Sequence, residues 1–344
     1  MTRVDRLRPL LEEPLLVSDR INLFYLTGFR SSNAALLVEP GRLRLFTDFR
    51  YLEAAREVEG VEVVQTKRAV LKELAELLEG PVGFEAEAVT YAGWESLGAE
   101  GLELVPRRGL VEGLRAVKDE TELDAIRRAA EITTEGYERL AQEPFIGRTE
   151  RELADRLDAL FLELGSEGLA FETIVATGPN GANPHADPGD RRVEAGHTIV
   201  IDAGAAVGGY NADCTRTFAA GELGDELRRA YEVCLDGQLA GLEAVKPGVT
   251  GVDADAAARD AITAGGYGDR FGHGLGHGVG LLVHEAPRLS TESPDTIAAG
   301  NVVTVEPGVY IPGLGGIRIE DLVIVGGDGN EVLTSMTKEL VTVS

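Results

Sequence analysis

The chain has 344 residues, of which 44% are hydrophobic, and is therefore long enough for two domains with substantial cores. Its 58 acidic residues against 33 basic ones give a formal net charge of -25. This balance argues against nucleic acid or an anionic membrane as a partner, because phosphate contacts need basic patches. No segment approaches the roughly 18 consecutive apolar residues that cross a bilayer, so no membrane partner is expected either.

The N-terminus and the cysteines predict a cytoplasmic protein. The first residues, MTRVDRLRPLLEEP, carry charges where a signal peptide would have an apolar core. Cys214 and Cys234 are too few for a disulfide framework, so free thiols in a reducing compartment are expected. The acidic composition, with five lysines against 28 arginines, resembles that of proteins adapted to molar salt and predicts a halophilic origin; an acidic mesophilic protein is the alternative.

Residues 1–115 alternate strand-like and helix-like segments, which predicts a small α/β domain. The strands are expected at NAALLVEP, RLRLFTD, VEVVQ and PVGFEAE, and the helices at YLEAAREVE and AVLKELAELLEG. Neither the Rossmann glycine motif nor a P-loop occurs there, so nucleotide binding has no motif support.

A second domain, residues 116–344, is predicted to begin with helices. The periodicity from Leu114 to Gln142 is that of one long amphipathic helix, and Val111 to Asp119 is the expected linker. A second helix over residues 150–164 has Thr149 as its N-cap, with Glu152 completing a capping box.

Two hairpins follow, and each carries a pair of acidic residues. Asp202 and Asp213 lie symmetrically about the midpoint between Val207 and Gly208, so a simple hairpin makes them cross-strand partners. Like charges directly opposite each other are destabilising, and two aspartates in buried strands therefore call for a cation.

The second hairpin repeats this arrangement. Glu306 and Glu320 are symmetric about Gly313, and Arg318 shares a face with Glu320. Four carboxylates with one imidazole form a hard ligand set that suits Mn or Co better than a structural zinc site. Such a set can also hold two cations about 3.5 to 4 Å apart, as in two-metal hydrolases, with hydroxide formed on the metal as the nucleophile.

The segment Phe271–Pro287, FGHGLGHGVGLLVHEAP, holds three of the five histidines. If this segment is a strand, every second residue lies on one face, and the opposite face carries only glycines. The residues of the first face are Phe271, His273, Leu275, His277 and Val279. A glycine-rich loop is the alternative. The glycines are interpreted as room for a peptide to lie against the backbone.

These motifs, in their order and spacing, resemble the pita-bread metallopeptidases, in particular the prolidase and aminopeptidase P branch. The residues that carry the resemblance are IDAG, YNADCTRTF, FGHGLGHGVGLLVHEAP, VEPGVY and GIRIED, and it covers residues 118–344. INLFYLTGF and TDFRYLEAA resemble the N-terminal domain of the same branch. The resemblance implies an α/β plus α+β fold, in which a small creatinase/prolidase-like domain (1–115) precedes a pita-bread catalytic domain (116–344).

The resemblance also implies a role for each candidate residue. It makes a set of five residues the ligands of two divalent ions, Mn or Co before Zn or Fe: Asp202, Asp213, His277, Glu306 and Glu320. Within that set, Asp213 and Glu320 bridge the metals. His284 would contact the scissile carbonyl, and Glu306 would carry a proton to the leaving nitrogen. The substrate site would be lined by His185, His273, Tyr310 and Arg318. His197 departs from the relatives, which usually have an acidic residue after the glycine, and is interpreted as structural.

The reaction that the resemblance implies is hydrolysis of the peptide bond before proline by a metal-bridging hydroxide. An Xaa-Pro dipeptidase (prolidase) is the first hypothesis, favoured by the compact N-terminal domain. An Xaa-Pro aminopeptidase acting on longer peptides is the alternative. The intact ligand set disfavours creatinase and a non-catalytic binding protein, and the N-terminal domain disfavours methionine aminopeptidase. A homodimer is implied.

Overall fold

The computed structural model describes residues 2–98, 101–327 and 329–344. The chain divides into two compact units, Met1–Arg115 and Ala116–Ser344. Both units combine helices with sheets, so the predicted α/β plus α+β class is confirmed. Within the part of the chain that the structure describes, no helix is both long enough and apolar enough to span a membrane.

Unit 1 contains six strands and six helices among its described residues. The helices are α1 (Arg3–Leu7), α2 (Arg20–Thr27), α3 (Leu52–Arg56), α4 (Val70–Leu77), α5 (Tyr91–Gly98) and α6 (Leu110–Ala116), the last extending one residue beyond the unit. The strands are β1 (Leu15–Val17), β2 (Ala34–Val38), β3 (Leu43–Asp48), β4 (Glu62–Thr66), β5 (Pro81–Glu85) and β6 (Glu103–Arg107). They form one mixed sheet in the order β4-β3-β2-β1-β5-β6. Leu16, Leu37 and Phe46 pack with Leu74 of α4 in its core.

Unit 2 begins with two long helices and has two more between its hairpins. These are α7 (Glu120–Leu140), α8 (Glu150–Glu163), α9 (Asp225–Ala244) and α10 (Gly251–Ala264). Thr149 caps α8, and the predicted capping box with Glu152 is confirmed, since each side chain bonds the other's backbone N–H. α9 and α10 lie between the two hairpins.

The strands of unit 2 form several small sheets. They are β7 (Gly168–Leu169), β8 (Ile174–Thr177), β9 (Thr198–Ala203), β10 (Ala205–Val207), β11 (Tyr210–Asn211), β12 (Cys214–Ala220), β13 (Gly276–Gly278), β14 (Glu285–Leu289), β15 (Val302–Val305), β16 (Gly308–Ile311), β17 (Gly315–Arg318), β18 (Asp321–Ile324), β19 (Glu331–Val332) and β20 (Thr342–Val343). The two main sheets run β20-β12-β9-β8 and β14-β13-β15-β18-β19.

The prediction of one helix from Leu114 to Gln142 is wrong. The helix is interrupted between α6 and α7, because Asp119 adopts an extended conformation and forms a capping box with Glu122. A residue that caps a new helix cannot continue the previous one. The predicted linker from Val111 to Asp119 is consequently helical as far as Ala116.

The first hairpin has a different register from the one predicted. Asp202 pairs with Thr215, whereas it was expected opposite Asp213. Gly208 and Gly209 both have positive φ, 63° and 87°, and form a two-residue turn displaced from the predicted midpoint. The partner of Asp202 shifts by two residues, which keeps Asp213 on the same face of the hairpin.

The second hairpin has the predicted register. Val305 pairs with Asp321 and Gly308 pairs with Arg318, so Glu306 and Glu320 lie opposite each other in the interval between the two ladders. Because the ladder is interrupted there, both residues lie outside the regular strands.

The histidine-rich segment is not one alternating strand. Gly276–Gly278 forms β13, whose register shifts between His277 and Gly278, and the last three residues of the segment begin the neighbouring strand β14. A Cβ at Gly276 would lie 2.1 Å from the carbonyl oxygen of Thr304, and one at Gly278 would lie 2.2 Å from that of Ala286. Neighbouring backbone therefore fills the space beside these glycines, and their interpretation as room for a peptide is wrong.

Candidate metal centre

Three carboxylates from the two hairpins meet in the interior of unit 2. Asp202 is the penultimate residue of β9, Asp213 precedes β12, and Glu320 precedes β18. One oxygen of each lies within 4.8 Å of the others. Asp213 is 4% exposed and Glu320 is 1% exposed. Three carboxylates this close and this buried repel one another unless a cation lies between them.

Asp202 and Glu320 are each held by one oxygen, which leaves the other free. Asp202 Oδ2 accepts a hydrogen bond from Arg318 Nη2 at 2.6 Å, and Glu320 Oε2 accepts one from Thr215 Oγ1 at 2.7 Å. Asp202 Oδ1 and Glu320 Oε1 are buried and have no hydrogen-bond partner among the described residues. In this arrangement a hydrogen bond to one oxygen orients the carboxylate, and the other oxygen is buried without a partner. Carboxylates that bind metals are arranged in the same way.

His277 and Glu306 join this cluster through Asp213. His277 Nε2 lies 3.2 Å from Glu306 Oε1 and 3.7 Å from Asp213 Oδ2. Its Nδ1 lies 3.1 Å from the carbonyl oxygen of Gly278, an acceptor, so Nδ1 carries the proton. Nε2 is then the nitrogen that can coordinate a metal, and it faces the two carboxylates.

The pKa values show how strongly these groups interact. Burial, and then the charges of nearby carboxylates, raise the pKa of Asp213 and of Glu320 well above the ordinary range. Burial acts in the same direction on Glu306, but the hydrogen bond and charge of His277 outweigh it and lower the pKa of Glu306 to about 2. Glu306 in turn raises the pKa of His277 against the effect of burial. Without a metal, protons would thus neutralise part of the charge of the cluster.

The donor set fits divalent cations. It offers carboxylate oxygens, two of them buried and free of hydrogen bonds, together with one imidazole nitrogen directed at the same place. Hard oxygen donors with a single nitrogen suit Mn, Co and Fe, and they also accommodate Zn. Asp213, which lies near both Glu320 and His277, is placed where it could serve two ions.

We expect the metal-free protein to lose stability relative to the variant Glu320→Gln as the pH rises. Because folding raises the pKa of Glu320, the protonated group contributes stability that is complete below its unfolded pKa of about 4.3 and is lost as the pH rises through the folded pKa. Glutamine has no charge to lose or gain, so the variant escapes this loss.

Thermal unfolding of chelator-treated wild type and Glu320→Gln, from about pH 5 to about pH 8, measures the effect. The Tm of the variant should exceed that of the wild type by a margin that grows with pH. The exposed Glu232→Gln, in α9 of the same unit, serves as the control and should show no such trend. A Tm difference that stays constant with pH would contradict the expectation.

A chain of hydrogen bonds connects the metal centre to a second histidine. Arg318 binds Asp202 with Nη2 and donates from Nη1 to the hydroxyl of Tyr310 at 3.0 Å. That hydroxyl lies 2.8 Å from His273 Nε2, and His273 Nδ1 lies 2.8 Å from the carbonyl oxygen of Gly274. Since Tyr310 already accepts from Arg318, its proton is available for His273 Nε2.

The remaining predicted residues lie at the rim of the centre. The ring of His284 is 4.2 Å from the ring of His277, and burial, followed by the charge of His277, lowers the pKa of His284. His185 is exposed and follows Pro184, whose carbonyl oxygen accepts a hydrogen bond from Arg318 Nη1 at 3.2 Å. All ten predicted site residues therefore converge on one region of unit 2.

His197 lies outside this region. Its ring packs against Gly178, where a Cβ would lie 2.7 Å from the ring, and its Nδ1 accepts a hydrogen bond from the backbone N–H of Glu194 at 3.3 Å. These contacts support the structural interpretation of His197.

Two threonines that the sequence analysis did not single out complete the site. Thr215 Oγ1 accepts from Arg318 Nε at 3.0 Å while donating to Glu320. Thr304 Oγ1 donates to Glu306 Oε1 at 3.1 Å and accepts from the backbone N–H of His277 at 3.0 Å. Each threonine lies two residues from an acidic one, so strand parity could have identified both.

Comparison with known proteins identifies both parts of the chain. Residues 124–326 match the model of metallopeptidase family M24, and residues 3–117 match that of the creatinase/prolidase N-terminal domain. The first match alone covers more than half of the 344 residues, and the pita-bread fold class predicted from the sequence is confirmed.

Individual relatives extend over nearly the whole chain. A protein of Pyrococcus furiosus named Xaa-Pro dipeptidase is 35% identical over 95% of this chain and 94% of its own. A solved structure of an Xaa-Pro dipeptidase from Bacillus anthracis has a TM-score of 0.94 at 36% identity and covers 99% of both chains. An X-Pro aminopeptidase from Thermotoga maritima has a TM-score of 0.89 at 36% identity and covers 98% of this chain and 100% of its own. The chain therefore belongs to metallopeptidase family M24 and is a metal-dependent peptidase.

Proposed function

We propose that the protein is an Xaa-Pro dipeptidase that uses two divalent metal ions. The observation that carries this proposal is the convergence of four carboxylates and one imidazole, in which Asp202 and Glu320 each direct a buried, unpartnered oxygen into the cluster. The names of the Pyrococcus furiosus and Bacillus anthracis relatives support the choice of substrate.

The ligands would be the five residues of the cluster, with Asp213 and Glu320 shared between the ions. The ions, when bound, would polarise the substrate carbonyl and lower the pKa of water near it. The hydrogen bonds from Arg318 to Asp202 and from Thr215 to Glu320 would orient these ligands before metal or substrate arrives.

His284 would stabilise the charge that develops on the scissile carbonyl oxygen. Its ring lies beside that of His277, at the exposed rim of the cluster. Because its pKa is lowered, it is a neutral imidazole at neutral pH and can donate one N–H to that oxygen. This hydrogen bond would strengthen as the oxygen gains charge, which lowers the barrier.

Glu306 would carry the proton that the proline nitrogen needs in order to leave. Its Oε1 lies between His277 Nε2 and Thr304 Oγ1, so the group is oriented within the cluster. The bond before proline has a nitrogen without a hydrogen, and this nitrogen must be protonated before the product can depart.

His185 and His273 would contact the substrate beside the metals. Tyr310 and Arg318 fix the orientation of His273 by the hydrogen-bond chain described above. The chain is buried except at its histidine end, where a bound peptide would take the place of water.

A comparison of Xaa-Pro dipeptides with Xaa-Pro-Yaa tripeptides tests the proposed specificity. We expect kcat/KM for the dipeptide to exceed that for the matched tripeptide by at least about tenfold, since a dipeptidase would bind the carboxylate of the proline itself, which in the tripeptide is part of a peptide bond. Comparable rates on both substrates would contradict the proposal. That result would favour the aminopeptidase alternative, which the Thermotoga maritima structure keeps open.

Metal identity, assembly and compartment are further parts of the proposal. We infer Mn or Co as the metals and a cytoplasm of high salt, supported by the oxygen-rich ligands, the buried free thiols and the net charge of -25. The homodimer rests on the resemblance to the prolidase branch alone. Light scattering and thermal unfolding in dilute and in molar KCl test the assembly and the salt dependence.

A further inference from the structure

We propose that Glu150 is a positioning residue for the peptidase reaction. Its buried carboxylate holds both ends of residues 177–189, here called the His185 loop, and thereby fixes His185 beside the metal centre. The inference rests on the proposed function in one respect, because it takes His185 to contact the dipeptide.

Three donors from the two ends of the His185 loop converge on this one carboxylate. Glu150 Oε1 accepts from the backbone N–H of Thr177 at 2.8 Å and from the side-chain amide of Asn180 at 2.9 Å. Glu150 Oε2 accepts from the backbone N–H of Gly189 at 3.0 Å. Since its two oxygens accept hydrogen bonds from opposite ends of the loop, the carboxylate links these two ends.

The carboxylate of Glu150 is almost inaccessible to solvent. Glu150 is 1% exposed and is the first residue of α8, where the positive end of the helix dipole stabilises a negative charge. Its hydrogen bonds in the structure come from three neutral N–H groups. Donors that converge on one buried side chain are costly to leave unpaired, so these three hydrogen bonds are a strong constraint on the loop.

The middle of the loop reaches the metal centre. Pro184, which precedes His185, accepts a hydrogen bond from Arg318 Nη1 at 3.2 Å, and the same guanidinium holds Asp202. Arg318 Nη1 also donates to the Tyr310 hydroxyl, which bonds His273, so the residue before His185 lies beside the hydrogen-bond chain that ends at His273.

The loop also packs against the second hairpin without space to spare. A Cβ at Gly316 would lie 1.8 Å from the carbonyl oxygen of Gly181. The loop is therefore fixed at its ends by Glu150 and along its course by the hairpin that carries Glu320. Loosening the ends would release His185 while leaving the metal ligands in place.

The backbone around Glu150 would survive a substitution of its side chain. The backbone N–H of Glu150 donates to the carbonyl of Arg191 at 3.0 Å, and that of Arg151 donates to Gly189 at 3.1 Å. The Thr149–Glu152 capping box does not involve the Glu150 side chain. Glu150→Gln therefore tests the side-chain carboxylate without disturbing the backbone. The new amide would direct its N–H group at one of the loop's own N–H donors, so that hydrogen bond is lost.

For Glu150→Gln with both metals bound, we expect KM for an Xaa-Pro dipeptide to rise about tenfold while kcat changes by less than about threefold. Amide hydrogen exchange in residues 177–189 should become faster, and Mn²⁺ affinity should stay the same. Glu152→Gln is the matched control, since it makes the same change two residues away at an exposed position. It should leave all three quantities at their wild-type values.

A double-mutant cycle with His185→Ala tests whether Glu150 acts through His185. If it does, the double variant should have nearly the same KM as His185→Ala alone. If Glu150→Gln instead damages the site in general, its increase in KM should add fully to that of His185→Ala. A full additional effect, or unchanged exchange in the His185 loop, overturns the proposal. Should Glu150→Gln not fold, Asn180→Ala removes one of the three donors and should change KM and exchange in the same direction.

The two proposals fail in different ways. If the wild type hydrolyses no Xaa-Pro dipeptide, the proposed substrate is wrong, and the exchange rates of the His185 loop still decide whether Glu150 closes it. If the wild type hydrolyses the dipeptide while Glu150→Gln matches it in KM and in exchange, the role of Glu150 is wrong and the proposed function stands.

Discussion

Asp213→Ala is expected to abolish peptidase activity while leaving the fold intact. Asp213 lies between the two halves of the cluster, close to His277 on one side and to Asp202 and Glu320 on the other. Its loss would separate the two halves and remove a ligand that both ions are proposed to share. Since metal ions contribute several kcal/mol of transition-state stabilisation, kcat/KM should fall by at least about a thousandfold.

The metal-free form of the same variant should not be destabilised. Asp213 is buried among carboxylates, and burial together with the charges of Glu320 and Asp202 raises its pKa. Removing one of several like charges relieves repulsion, so the metal-free Tm should equal or exceed that of the metal-free wild type. The increase in Tm that added Mn²⁺ gives the wild type should be largely lost.

Activity assays and thermal unfolding with and without Mn²⁺ measure both effects. Asp236→Ala is the control, because it removes an exposed aspartate from α9 in the same unit. It should behave as the wild type. Wild-type turnover by Asp213→Ala would remove the assignment of the metal centre.

Arg216→Met is expected to cause the largest loss of stability among the predicted substitutions. Arg216 is 2% exposed and lies next to Thr215, behind the metal centre. Its guanidinium donates to the backbone carbonyl of Glu320 and binds Asp321 Oδ1 at 2.9 Å. It also donates to the carbonyl oxygen of Met336 at 2.7 Å. Several buried acceptors thus depend on one side chain.

The partner carboxylate is equally buried. Asp321 is 0% exposed, and its Oδ2 accepts from Gln238 Nε2 at 2.8 Å and from Lys338 Nζ at 2.6 Å. Methionine fills much of the volume of arginine but donates no hydrogen bond. Without Arg216, Asp321 keeps only Lys338 as a charged partner, and several buried carbonyl groups lose their donor, so the free energy of unfolding should fall by about 3 to 5 kcal/mol.

Denaturant unfolding of the metal-free proteins measures this change. Arg228→Met is the control, because Arg228 is half-exposed and its ion pair with Glu222 is 3.9 Å long and open to solvent. That variant should change the free energy of unfolding by less than about 1 kcal/mol. Equal effects of the two substitutions would show that the buried ion pair contributes little.

The second hairpin could be predicted from the sequence, and the first only in part. Glu306 and Glu320 flank a turn centred on Gly313, and the two ladders keep that symmetry. In the first hairpin the turn forms at Gly208 and Gly209, so Asp202 pairs with Thr215 and not with Asp213. The face was nevertheless predicted correctly, because a shift of two residues preserves it.

The histidine segment could not be predicted from alternation alone. The glycines of β13 are closely flanked by the backbone of Thr304 and of Ala286, which belong to the strands on either side. Tertiary contacts of this kind leave no local periodic signal. The helix break at Asp119, in contrast, was encoded locally by its capping box with Glu122 and could have been found.

The assignment of separate roles to the histidines did not follow from spacing. His277, His284 and His273 differ in what their rings meet: two carboxylates, another imidazole and a tyrosine hydroxyl. Only the fold brings these partners together. The buried carboxylate of Glu150, which closes the His185 loop, likewise looks in the sequence like an ordinary first-turn glutamate.

The metal content of the purified protein tests the central claim most directly. Mass spectrometry of protein stripped with chelator, reloaded with Mn²⁺ and dialysed should find two ions per chain in the wild type, since four carboxylates and an imidazole can hold a pair of ions. Full dipeptide hydrolysis by protein that retains no divalent ion would contradict the account.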